Sequence, residues 1–112
     1  MSAITTHVLD IARGRPAAGV PIELELKKDG AWAHVARGET DADGRLRTLL
    51  ADKALVRGTY RITFDTGAYF RALDVEGFYP EASIVFEVRA ENEHYHVPLL
   101  LSAYGYSTYR GS

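Results

Sequence analysis

The 112-residue sequence contains no cysteine, and that single absence removes a disulfide framework, a thiol nucleophile and a thiolate metal site together. Long apolar runs are missing too. Nothing approaches the roughly 20 apolar residues of a membrane-spanning helix, and no membrane association is expected. Met1-Ser2-Ala3 passes straight into Ile4-Thr5-Thr6-His7 without the basic and then apolar order of a signal peptide, so a cytoplasmic location is expected. Charge of one sign is also lacking. Thirteen Lys and Arg are dispersed among fifteen Asp and Glu, for a formal net charge of -2, and this balance leaves no electrostatic footprint for nucleic acid. A small acidic ligand can still meet a local basic cluster. Neither an internal repeat nor a coiled-coil heptad is present.

What the sequence does contain is enough apolar and aromatic material for one core. A chain of this length supports a single domain, residues 1–112. Its dominant rhythm is period two. Val20, Ile22, Leu24 and Leu26 alternate with Pro21, Glu23, Glu25 and Lys27, the pattern of a strand with one buried face. Asp29-Gly30 supplies a hairpin turn into a weaker strand over 31–40. Ile4 to Leu9, Arg45 to Thr48, Tyr60 to Phe64, Ile84 to Val88, His94 to Ser102 and Tyr104 to Arg110 read as further strands, separated by turn residues such as Asp41-Ala42-Asp43-Gly44. The rhythm breaks between Thr66 and Asp74, where Tyr69 and Phe70 precede Leu73 by helical spacing. A short helix capped by Asp65 or Thr66 fits there, while Leu49 to Arg57 reads as a connection. Seven or eight short strands and one helix predict two packed antiparallel sheets, with a small closed barrel as the alternative.

The strand from His94 to Ser102 places His94, His96, Pro98 and Leu100 on one side and Tyr95, Val97, Leu99 and Leu101 on the other. Both sides become apolar toward its end. One side covers the core, and the other needs a second cover, which predicts oligomerisation through Pro98, Leu100 and the Tyr104 to Tyr106 region. Pro98 has no N–H to donate, so its nitrogen is expected at an edge or bulge. His94 and His96 are compatible with partly exposed strand residues, an acid/base pair or the start of a metal site. The last of these would need other ligands, and no further spacing supplies them. The tail from Tyr104 to Ser112 combines tyrosine, hydroxyl and guanidinium groups suited to a flat ligand, although an edge strand has the same composition.

Several segments together carry a family resemblance: Ile4-Thr5-Thr6-His7-Val8-Leu9-Asp10, Asp43-Gly44-Arg45, Phe78-Tyr79-Pro80-Glu81, His94-Tyr95-His96-Val97-Pro98-Leu99-Leu100-Leu101-Ser102 and Tyr106-Ser107-Thr108-Tyr109-Arg110-Gly111-Ser112. In this order they resemble the transthyretin-related 5-hydroxyisourate hydrolases, and the closing Tyr109 to Ser112 is the most diagnostic. Ala103 departs from the family, many members of which have Pro there. The resemblance implies a transthyretin-like two-sheet antiparallel β-sandwich, assembled as a homotetramer with active sites at subunit interfaces. It also implies hydrolytic opening of 5-hydroxyisourate in urate degradation without a metal or organic cofactor.

The same resemblance implies the site residues. His7, Arg45 and His96 match the catalytic positions, with His7 and Arg45 also touching substrate, and Tyr109 and Ser112 match residues at the mouth or floor of the cleft. Histidine suits proton transfer near neutral pH and arginine suits developing negative charge on oxygen. His34 matches no motif, and His94 is expected to be supporting or peripheral. Two other classes fit the same sandwich: a binding protein for hydrophobic hormones, and an interaction module without turnover.

Overall fold

The computed structural model describes residues 2–112. Two sheets pack face to face. One is built on β1 (Ile4–Asp10), which is flanked on one edge by β8 (Tyr95–Ser102) and then β9 (Gly105–Thr108). The other edge of β1 is shared by two strands of two residues each, β2 (Arg15–Pro16) against Leu9 and Asp10 and β5 (Arg45–Leu46) against Thr6 and His7. The second sheet has the order β4 (Ala31–Glu39), β3 (Pro21–Lys28), β6 (Gly58–Phe64) and β7 (Ala82–Val88). This is the expected transthyretin-like sandwich, with α1 (Thr66–Ala72) between β6 and β7.

Alternation fixes which faces meet. Ile22 and Leu24 of β3, Tyr60, Ile62 and Phe64 of β6, Ile4 and Val8 of β1, and Leu99 and Leu101 of β8 are almost completely buried. Each such side chain stabilises the fold by roughly 1.5–3 kcal/mol relative to exposure. The connection before β6 contributes to the same core through Leu49, Leu50 and Leu55, although its residues have no strand rhythm. Asp65 caps α1 by accepting from the Ala68 N–H at 3.0 Å. From the far side of the helix, the buried Tyr69 hydroxyl donates to Asp10 Oδ2 at 2.7 Å and ties α1 to β1.

Three local expectations are modified. The sandwich is not antiparallel throughout, because β1 and β8 run parallel from Ile4↔Tyr95 to Asp10↔Leu101. Parallel neighbours need a long crossover, and here almost the entire chain between them serves as one. The strand beginning at Arg45 ends at Leu46 rather than Thr48: it pairs with β1 only at Thr6 and His7, and beyond Leu46 the Arg47 carbonyl accepts the Ser2 N–H at 2.7 Å instead. Pro98 sits inside the sheet rather than at its edge. Its missing N–H falls in a gap of the tail pairing, where the β9 ladder stops at Leu99↔Thr108 and contact resumes at His96↔Gly111. The Thr108 hydroxyl donates to the Pro98 carbonyl across that gap at 2.7 Å. No helix among the described residues is long and apolar enough to cross a membrane.

Candidate active site

The outer face of the five-stranded sheet collects the polar groups that the core rejects. Along β1, Ile4, Thr6, Val8 and Asp10 point inward, so Thr5 and His7 point outward; along β8, Tyr95, Val97 and Leu99 point inward, so His96 and Pro98 point outward. The parallel register then sets Thr5 beside His96 and His7 beside Pro98. On the opposite edge of β1, β5 sets Arg45 beside His7. Two expected site residues from distant segments thus become neighbours through strand pairing alone.

The turn before Arg45 is built to hold that pairing. Asp41 Oδ1 accepts the Asp43 N–H at 2.8 Å and the Arg45 N–H at 3.0 Å. Accepting from the Arg45 backbone holds the Asp41 carboxyl below its ordinary pKa. Gly44 has φ +74°, and its N–H closes the turn onto the Asp41 carbonyl. A Cβ at this position would lie 2.5 Å from the Val8 carbonyl oxygen. Only glycine lets the turn lie this close to β1.

Arg45, His96 and Ser112 line one pocket of about 150 Å³, together with Thr5, Thr6, Arg47 and His94. His7 is outside that lining but on the same sheet face. Its pKa is lowered chiefly by burial and next by the Arg45 guanidinium, while the Asp43 backbone works in the opposite direction. The His96 pKa is also lowered, chiefly by burial, then by His94, Arg45 and His7. Both rings are therefore neutral near pH 7 and have a lone pair available as a base. Although the whole chain is slightly acidic, Arg45 and Arg47 make this pocket locally basic.

The C-terminal tail folds back over β8 to complete the wall. The Gly111 N–H donates to the His96 carbonyl at 2.9 Å, and a Cβ on Gly111 would lie 2.5 Å from His96 Cδ2. Arg110 stacks its guanidinium 4.4 Å above the Tyr95 ring centroid while donating to Glu93 at 3.1 Å and to the His94 carbonyl at 3.2 Å. These contacts deliver Ser112 to the pocket. Tyr109 does not join it there. It is 58% exposed and, with Thr108 and Arg110, lines a separate cavity of about 410 Å³ against β7, in which His96 also takes part.

Sequence reasoning missed Thr5 and gave His94 only a supporting or peripheral place. The Thr5 hydroxyl lies 2.9 Å from His94 Nε2 and 2.8 Å from His96 Nδ1, and the two imidazoles stack with centroids 6.3 Å apart. The two-residue spacing of the histidines was visible in sequence. The threonine between them was not, because it arrives through a pairing across 91 residues. Among the described residues, no group of three or more His, Asp or Glu side chains is arranged to hold a metal ion. What the pocket and the adjoining His7 offer is the imidazoles of His96 and His7 beside guanidinium and hydroxyl donors, which can activate water and stabilise negative charge on a reacting oxygen.

The chain is similar in sequence and fold to known proteins. The family model described as HIUase/Transthyretin family matches residues 4–111. The 5-hydroxyisourate hydrolase of Salmonella typhimurium is 50% identical over 109 residues, covering 97% of this chain and 80% of that protein. That of Caulobacter vibrioides is 47% identical over 116 residues and covers both chains fully, at 100% each. Among solved structures, sea bream transthyretin in complex with thyroxine superposes with a TM-score of 0.93 at 34% identity, covering 98% of this chain and 95% of that one. The Klebsiella pneumoniae 5-hydroxyisourate hydrolase does so with a TM-score of 0.86 at 38% identity and full coverage, 100% of each chain.

Proposed function

Because the chain belongs to the HIUase/transthyretin family, we propose that it hydrolyses 5-hydroxyisourate to 2-oxo-4-hydroxy-4-carboxy-5-ureidoimidazoline in urate degradation. Residues 1–112 act as one catalytic domain, in a cytoplasmic setting with which a cysteine-free chain is compatible. The observation that carries this reading is the pocket that joins Arg45, His96 and Ser112 beside His7.

Opening the ring requires water to attack a carbonyl, negative charge to be held on its oxygen, and a proton to reach the departing nitrogen. His96 takes the proton from water, and His7 helps to position that water from the same sheet face. Arg45 fixes the substrate oxygens with its planar donor fork and offsets the charge that develops. Ser112 holds the ring by hydrogen bonding. No step in this scheme calls on a metal or organic cofactor.

Homotetrameric assembly with sites at subunit interfaces belongs to the same proposal. The pocket lies on an open sheet face that a second copy would cover, and the exposed Tyr109 contributes to the rim in that assembly rather than within one protomer. Thyroxine is held by the sea bream relative, but histidine, arginine, threonine and serine side chains suit an oxygen-rich heterocycle better than a hydrophobic hormone. An ultraviolet assay with freshly generated 5-hydroxyisourate tests the proposal. Decay well above the spontaneous rate supports it, and decay at the spontaneous rate defeats it.

A further inference from the structure

We propose that Thr5 and His94 are positioning residues that act through His96, forming a hydrogen-bonded path along which its proton exchanges with solvent. The path rests on the hydrolase reading for its purpose and on the geometry for its existence. Thr5 is 3% exposed and its Oγ1 lies between His94 Nε2 and His96 Nδ1 at 2.9 and 2.8 Å. Among the described residues, no third hydrogen-bond partner faces that hydroxyl. A hydroxyl owns one proton, so it donates to one ring nitrogen and accepts from the other. The two histidines therefore hold complementary protonation states across Thr5.

For His96 to act as a base at Nε2, its neutral ring carries the proton on Nδ1, which donates to Thr5. The Thr5 proton then points to the Nε2 lone pair of His94. When Nε2 of His96 takes a proton from water, the Nδ1 proton passes to Thr5 Oγ1 and the Thr5 proton passes to His94 Nε2. His96 is left neutral with Nε2–H, Thr5 is again a hydroxyl, and the positive charge sits on His94. His94 is exposed and releases its Nδ1 proton to solvent. When His96 then gives its Nε2 proton to the departing nitrogen, the same shifts in reverse draw one proton back through His94 and restore the starting state.

Electrostatics gives the path a reason. A cation on the half-buried His96 would face Arg45 and His7, whereas His94 is exposed to solvent. The direction of the His96 pKa shift agrees with a ring that resists retaining charge. Moving the charge one hydroxyl outward takes it from a half-buried ring to one in water, where it is better solvated.

The test combines imidazole ¹⁵N NMR of the ligand-free protein with kinetics on 5-hydroxyisourate. In the wild type, His94 Nε2 and His96 Nδ1 should show opposite protonation, and Thr5→Val should abolish that correlation while Thr5→Ser keeps it. Thr5→Val and His94→Ala should each lower kcat about tenfold with little change in KM, a part of the effect of general acid–base catalysis. Thr5→Ser should stay near wild type. Added imidazole should restore kcat of His94→Ala in a concentration-dependent way without affecting the wild type, a response that a purely structural defect would not give. Unchanged ring protonation in Thr5→Val, or wild-type kcat in His94→Ala, or a loss that imidazole does not relieve, would overturn the path. If the wild type itself failed to accelerate substrate decay, the hydrolase reading would fall while the NMR arm still decided the hydrogen-bond relationship.

Discussion

His7 and Arg45 are Cα partners across the two-residue pairing of β5 with β1. That pairing puts an imidazole and a permanent cation side by side from positions far apart in the chain, and the cation bears directly on the imidazole. Arg45 lowers the pKa of His7 and also that of His96.

Replacing Arg45 should therefore have two separable effects. Arg45→Lys keeps a charge but loses the planar fork, and kcat/KM should fall by roughly ten- to hundredfold. Arg45→Gln removes the charge, so protonated imidazoles are penalised less and their pKa values rise. The acid limb of its kcat/KM profile should move to higher pH than in the wild type, measured in matched buffers of constant ionic strength.

The lowered histidines also set the direction of a stability change. Between their folded pKa values and the ordinary 6.5, the unfolded chain binds more protons than the folded one, so stability rises with pH across that window. It should fall as pH drops below about 6.5, and urea midpoints at about pH 7.5 and about pH 5.5 check the sign. His96→Asn should reduce the dependence. A larger urea midpoint at the lower pH would contradict the assignment.

Gly111 offers a change confined to the site. A methyl group there would meet His96 Cδ2 at 2.5 Å and Pro98 Cγ at 3.2 Å, so the ring or the tail must shift. Gly111→Ala should lower kcat by about tenfold or more through misplacement of His96, while the melting temperature changes little because the tail contributes no residue to the buried core. Gly44→Ala makes the contrasting case. Its positive φ and the Val8 carbonyl oxygen at 2.5 Å should destabilise the whole protein by roughly 1–3 kcal/mol, read by urea denaturation.

Tyr69→Phe tests the docking of α1 without touching the site. It removes the donor to the buried Asp10 carboxylate, which keeps the Arg13 backbone N–H at 3.1 Å. The expected cost is roughly 1–3 kcal/mol for a buried acceptor that loses a partner. Activity per folded molecule should be unchanged.

Local signals in the sequence carried most of the fold. The alternation through Val20 to Lys27, the Asp29-Gly30 turn and the Asp65 cap each act over a few residues, and each appears where the pattern placed it. Strand pairing is not local. Nothing in Ile4 to Leu9 says that it runs parallel to a strand more than 80 residues away, so the placing of Thr5 between two histidines could not be read. The same limit explains His94, which stands between a turn and β8 in the sequence and makes its contact with Thr5 of β1. Motif resemblance brought His7, Arg45 and Ser112 to attention, and pairing and tail packing supply the physical reason they meet. Tyr109 shows the converse, a motif residue whose own protomer leaves it outside the pocket.

In the proposed hydrolysis His96 moves the proton within this pocket. The direct measurement is kcat/KM for 5-hydroxyisourate with wild type and His96→Asn side by side, each corrected for spontaneous decay and checked for equal folding by circular dichroism. The variant should lose about two orders of magnitude or more. A folded His96→Asn protein with near-wild-type turnover would contradict it.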